Sequence, residues 1–300
     1  MMLGQFIGNA NNLSVASQFI YVTSDSGYVG RVNKDGSDLK PFARPSFTST
    51  AFQGTPVAED GDRAFFIWNG SPIRLVYCSI SSCDSTITPV GGPYSQYFAL
   101  DAADHKVAWI DYTPTQLWVA PTTGSPSGTP VPGGTLPDGS SGSHIVYAKS
   151  GLYFSIGQSI QRLPLSGGAQ AAIGYTSSAS PSLVALAANS DTLFFSDGSS
   201  VFWTPLPSGN GSPGTKLIDS NVSGFTGVLF VADDTSAYWS TSGIQTCQLT
   251  NCSGSQRVVP GTSENRYGEI GIDDAAIYWT QATAVPGESL SAFTLWKLAK

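Results

Sequence analysis

Two histidines, His105 and His144, are the side chains of this 300-residue chain whose ordinary pKa lies near neutrality. Acid–base chemistry needs such a ring held by a carboxylate that orients it. His144 with Glu269 or Asp111 is therefore the candidate catalytic set, and it would suit a lyase or hydrolase acting on a small molecule. No spacing in the sequence brings the three together. The chain also lacks a Gly-x-Ser-x-Gly elbow, a His-Glu-x-x-His pair, a phosphate loop and a haem motif. Seven scattered arginines offer no carboxylate clamp. The chemistry on view favours binding over turnover, so the chain is expected to be a non-enzyme.

Four cysteines fall in two identical spacings, Cys78 to Cys83 and Cys247 to Cys252. They could ligate a metal or form two local disulfides. Asp60, Asp62, Asp101, Asp104, Asp233, Asp234, Asp273 and Asp274 mostly fall in turns between apolar runs, where short carboxylates bond local backbone amides. The stretch Asn33–Asp38 is the place where a structural calcium could sit, although no full calcium loop is present. No other cofactor is expected.

The elements that must position these groups recur. A short apolar strand, a tight polar turn and an aromatic strand repeat along the chain, with anchors Tyr21, Phe66, Trp109, Phe154, Phe195, Trp239 and Trp279. The intervals, about 40 to 45 residues, match the period of a four-stranded propeller blade. A further apolar strand and a short fourth strand follow each anchor, and no dozen residues carry a helical stripe. The expected fold is all-β: one seven-bladed β-propeller domain over residues 1–300, with four antiparallel strands per blade. The seventh repeat ends without a fourth strand, and Gln5–Gly8 has the character of one. The N-terminal strand should therefore complete the last blade and close the ring.

On that architecture the two cysteine pairs lie on separate blades, each bracketing its own hairpin. Disulfides Cys78–Cys83 and Cys247–Cys252 follow, and with them an oxidising compartment. Phe52, Tyr97, His144, Tyr175, Phe225 and Tyr267 recur near the entry to each first strand. They are the candidate ligand-binding residues, flat rings beside polar groups that suit sugars. Their alternative role is to wedge between blades. His105 falls in a turn at the opposite end.

The sequence Ala276-Ile277-Tyr278-Trp279-Thr280, with Gly30–Ser37, resembles YWTD-type repeats. Together with the Cys-x4-Cys hairpins it resembles uncharacterised secreted propellers of myxobacteria, a bacterial group. That resemblance spans the chain and implies the fold more than an activity; YWTD domains have six blades, where seven are counted here.

Composition agrees. With 33 Gly, 19 Pro, 12% charged and 11% aromatic residues, the chain is neither a coiled coil nor disordered. A net charge of −7 makes nucleic acid and anionic membrane poor partners. No apolar run is long enough to span a membrane, and no leader is visible, so the cysteines point to export after its removal. The expected function is a secreted, periplasmic or cell-surface binding module, lectin-like, for a glycan or other polar ligand. The alternatives are the His144-centred enzyme and a protein-interaction scaffold.

Overall fold

The computed structural model describes the chain apart from residues 8–9, 25–28, 44–55, 69–71, 91–94, 113–114, 137–144, 149–150, 157–158, 165–167, 173–184, 190, 197–200, 207–214, 219–229, 241–242, 261–265 and 284–291. β-Branched and aromatic residues set the strands, and short polar turns separate them. In those turns a side-chain carboxylate or amide substitutes for missing backbone partners. Asp233 Oδ1 accepts from the amides of Thr235 and Ser236, and Asp273 Oδ1 from those of Ala275 and Ala276. Asp101 and Asn189 do the same for the residues that follow them. The acidic turns are thus structural where they are described.

The first strand, β1 (Met2–Ile7), stands apart from its neighbours in sequence. Next come β2 (Ala10–Val15), β3 (Phe19–Ser24), β4 (Val29–Asn33) and β5 (Lys40–Ala43), which form the first complete sheet. The second sheet holds β6 (Ala58–Asp60), β7 (Arg63–Trp68), β8 (Arg74–Ser79) and β9 (Thr88–Pro89). A single helical turn, α1 (Cys83–Thr86), precedes β9, and Cys83 opens it. The third sheet is β10 (Ser95–Asp101), β11 (Lys106–Tyr112), β12 (Thr115–Pro121) and β13 (Thr129–Thr135). The fourth is β14 (Ile145–Ala148), β15 (Gly151–Ile156), β16 (Ser159–Pro164) and β17 (Ala171–Ala172).

The fifth sheet is β18 (Ala185–Ala188), β19 (Thr192–Ser196), β20 (Val201–Pro205) and β21 (Thr215–Ile218). The sixth is β22 (Phe230–Ala232), β23 (Ser236–Ser240), β24 (Ile244–Gln248) and β25 (Asn251–Val259). The last is β26 (Arg266–Ile272), β27 (Ala276–Thr283) and β28 (Ala292–Ala299), completed by β1. There β1 runs antiparallel to β28, with Gln5 opposite Thr294 and Ile7 opposite Ala292. The strand expected at Gln5–Gly8 begins earlier, at Met2.

Register corrects one anchor. Trp279 stands three residues past Ala276, which closes the turn from Asp273. The equivalent position in the first sheet, three past Phe19, is Val22 rather than Tyr21. The aromatic at Tyr21 was the nearest ring, and periodicity alone could not separate two adjacent residues on opposite faces.

The chain divides into two compact units. One comprises Met1–Val90, Ser240–Gln245 and Arg257–Lys300; the other comprises Gly91–Trp239 and Thr246–Gln256. In the first, Tyr278, Phe293 and Leu295 pack on Leu13, Ile20 and Val22. On the other face of that sheet, Tyr21 and Phe42 pack on Phe66, Val76 and Cys78. In the second unit, Ile110 and Leu117 meet Phe154 and Leu163, Tyr153 and Ile160 meet Phe195 and Phe202, and Phe194 meets Trp239. Tyr21, Phe66, Phe154 and Trp239 are all fully buried, and each such ring contributes about 1.5–3 kcal/mol of transfer free energy. The core therefore lies in the seams between sheets.

Candidate functional site

The entry ends of the first strands are where ligand-binding residues are expected, and there the backbone is irregular. Register shifts interrupt β2 between Ala10 and Asn12, β10 between Ser95 and Tyr97, and β26 between Tyr267 and Ile270. A bulge bends its strand and re-aims a side chain. Within the first unit β2 lies against β26; within the second β10, β14, β18 and β22 follow one another side by side. Each unit thus aligns these strand entries.

Of the expected ligand-binding residues, Phe52, His144, Tyr175 and Phe225 lie outside the described residues. Tyr267 is in β26, but its side chain is likewise outside them. Tyr97 follows the β10 bulge and is partly buried against the cluster of Ala99, Ile110 and Leu117. Asp111 closes the far end of β11, opposite Ser95 and Gln116, and is fully buried. Glu269 falls within the β26 bulge, opposite the stretch holding Thr280, whose buried hydroxyl has no hydrogen-bond partner among the described residues. Burial pushes the Glu269 carboxyl up to about 8, so it keeps its proton at neutral pH, when it can donate a hydrogen bond or act as an acid. Asp111 and Glu269 belong to different compact units.

Side chains that sequence reasoning passed over make the tightest described polar network. Glu59 of β6 is buried and accepts hydrogen bonds from Ser17 Oγ at 2.7 Å, Gln18 N–H at 3.1 Å and Tyr21 Oη at 2.7 Å. Burial, then the Glu59 charge and its hydrogen bond, raise the Tyr21 hydroxyl far above its usual range. Beside it the buried Arg31 guanidinium stacks on Phe19, 4.1 Å from the ring centre, and donates to Ile80 O at 2.7 Å. Ile80 lies inside the loop closed by the Cys78–Cys83 disulfide. Glu59 precedes the aromatic strand β7 by four residues, and its partners lie in another repeat, which no local pattern discloses.

Cys247 is also disulfide-bonded, and its expected partner Cys252 has a side chain outside the described ones. In the Asn33–Asp38 turn, Asp35 Oδ1 accepts from the Ser37 amide and hydroxyl, while Asp38 pairs with Lys40 at 2.7 Å. The turn thus uses its own carboxylates. Among the described residues, no three His, Cys, Asp or Glu side chains gather as metal ligands would. No helix among them is long and apolar enough to cross a membrane.

No family model and no curated protein matches the chain. Solved structures do. The WD40 domain of Neurospora crassa Pan2 superposes with a TM-score of 0.63 at 12% identity, over 99% of this chain and 94% of that one. The CNH domain of AfRom2 gives 0.61 at 10% identity, over 99% of both. A nidogen/laminin complex gives 0.53 at 13% identity, over 80% of this chain and 93% of the other. At such identities the likeness speaks for fold alone, and the fold is an all-β propeller.

Proposed function

We propose that this propeller is an exported, non-catalytic recognition module whose partner is another macromolecule, in first place a protein. In this reading the chain is one seven-bladed ring over residues 1–300, related to the secreted myxobacterial propellers that its repeats resemble. What carries the reading is the use made of reactive side chains. Glu59, Asp101, Asp233 and Asp273 all bond backbone or neighbouring strands, so chemistry is spent on holding a rigid platform. The disulfides support export. A structural neighbour described as a nidogen/laminin complex supports a protein partner.

Phe52, Tyr97, His144, Tyr175, Phe225 and Tyr267 remain the proposed contact residues. Glycan recognition by those rings is a narrower form of the same reading, since a flat array of aromatics suits either partner. The test is affinity capture from extracellular material with the disulfide-intact protein, then measured binding of the purified partner. Tyr97→Ala and Tyr267→Ala should each weaken it, while His105→Ala should leave it unchanged. Equal loss from all three would refute the assigned face.

One observation favours a second reading. A Glu269 carboxyl that is protonated at neutral pH fits a general acid, as the His144-centred lyase or hydrolase requires. Turnover of any small substrate, lost in both His144→Ala and Glu269→Gln, would establish that enzyme instead.

A further inference from the structure

Tyr21, Tyr153 and Tyr278 hold one repeat position, each two residues past the residue that closes the first turn of its sheet (Phe19, Gly151 and Ala276). Opposite them on the third strand stand Arg31, Arg162 and Lys297. Three repeats therefore aim a cation at the sheet that follows. Two of the three are used as clasps. Arg31 Nη1 donates to Ile80 O at 2.7 Å, and Lys297 Nζ donates to Lys34 O at 2.9 Å.

The two acceptors are also equivalent. Each follows the third-strand residue that pairs with the turn-closing one, Ser79 opposite Arg63 and Asn33 opposite Phe19. The corresponding residue in the sheet packed against Arg162 is Leu206, next after Pro205, which pairs with Thr192. Ile80 and Leu206 even share a bond, their amides donating to Asp62 O at 2.8 Å and Asp191 O at 2.7 Å. Yet Arg162 makes no such clasp. Among the described residues it has no hydrogen-bond or ion-pair partner; its Nε is buried without one, as is that of Arg31, so the two differ at the Nη groups, which at Arg31 meet Ile80 O and Asp38.

Small residues flank the guanidinium. A side chain at Gly151 would place its Cβ 3.3 Å from Arg162 Nε, and the fourth strand offers only Ala171 opposite. At the equivalent Arg31, a carboxylate already shares the guanidinium: Asp38 Oδ2, from the turn that follows, lies 3.6 Å from Nη2 with its side chain 48% exposed. The sequence that follows the Arg162 strand, Leu165-Ser166-Gly167-Gly168-Ala169-Gln170, contains no acid. An unpaired, partly buried cation is costly, and a guanidinium fork fits a planar oxyanion with two hydrogen bonds.

We propose that Arg162 is a recognition site for an oxyanion from outside the chain, a carboxylate or a phosphate. This rests on the recognition reading and gives its partner a chemistry. The experiment follows the arginine Nε–H resonances of the intact protein during titration with inorganic phosphate and, separately, with an aspartate-rich peptide. Expected is a saturable shift of the Arg162 resonance, with Arg31 unmoved because its Nη1 and Nη2 are already held by Ile80 O and Asp38. In Arg162→Gln the affinity should fall at least about tenfold, and Arg162→Lys should recover part of it. A tighter peptide assigns a protein carboxylate as the source; tighter phosphate assigns a phosphorylated one. No saturation, or parallel shifts at Arg31, would overturn the proposal. So would a melting temperature lowered as much in Arg162→Gln as in Arg31→Gln without any anion effect, which would make Arg162 a third clasp. Either failure, with partner binding intact, leaves the recognition reading standing.

Discussion

Replacing Glu59 by alanine tests the view that the seams, rather than the individual sheets, hold the described core together. The carboxylate is 7% exposed and joins a residue of the second sheet to three groups of the first. Tyr21 is 0% exposed, so its hydroxyl cannot turn to water when its acceptor goes. A hydrogen bond to a charged group contributes about 1.5–3 kcal/mol, and a buried donor left unpaired costs about as much. Ser17 and Gln18 are partly exposed and can be rehydrated, which limits their share to about 1 kcal/mol together. The expected loss is therefore about 2.5–4 kcal/mol, a large part of the 5–15 kcal/mol typical of a folded protein. Urea unfolding of Glu59→Ala, Tyr21→Phe and the double variant measures it. The cycle should return a coupling of about 2 kcal/mol between the two side chains. A loss below about 1 kcal/mol, or strict additivity, would show that the buried network is not what the hydrogen-bond geometry implies.

Three other outcomes are expected. Gly133 has φ of +76°, and a Cβ there would sit on Gly168 O; Gly133→Ala should cost about 2–3 kcal/mol through backbone strain and displacement of that carbonyl, read from the urea midpoint. Cys78 and Cys83 are 0% and 3% exposed, so the disulfide should resist dithiothreitol in the native state, and removing it by paired Cys→Ala should cost about 2 kcal/mol. The Glu269 carboxyl is raised from 4.5 to about 8 by burial. Between those values the folded state keeps a proton that the unfolded state has released, so this group makes stability fall as pH rises through the window. Glu269→Gln should flatten the decline in unfolding midpoints between pH 5 and pH 8.5, and an unchanged slope would refute the burial argument.

Much of the fold was legible because strand, turn and anchor recur locally. Tyr278-Trp279-Thr280 and its counterparts declare a buried second strand, and the Asp and Asn residues before them declare the turn. Even the pairing of β1 with β28 followed from a missing fourth strand at one end and a spare one at the other. The one-residue slip at Tyr21 shows the limit of period alone, since Val22 and Tyr21 face opposite sides. The candidate site was less legible, because it depends on contacts between repeats. Glu59 reaches Ser17 and Tyr21 from about forty residues away, and nothing near Glu59 in sequence announces it. Tyr97, for which the sequence left open a ligand platform or a wedge between blades, is partly buried against Ile110 and Leu117 just past a register shift. Arg162 becomes noticeable only when its register is laid beside that of Arg31 and Lys297.

The proposed role is recognition without turnover at the strand-entry end. It is tested most directly by the affinity of the disulfide-intact protein for its captured partner, measured for the wild type, Tyr97→Ala, Tyr267→Ala and His105→Ala. Weakening of at least about tenfold is expected in the two tyrosine variants, with full affinity in His105→Ala and no chemical change in the partner. Undiminished binding in both tyrosine variants, or a partner that is cleaved or otherwise converted, would contradict it.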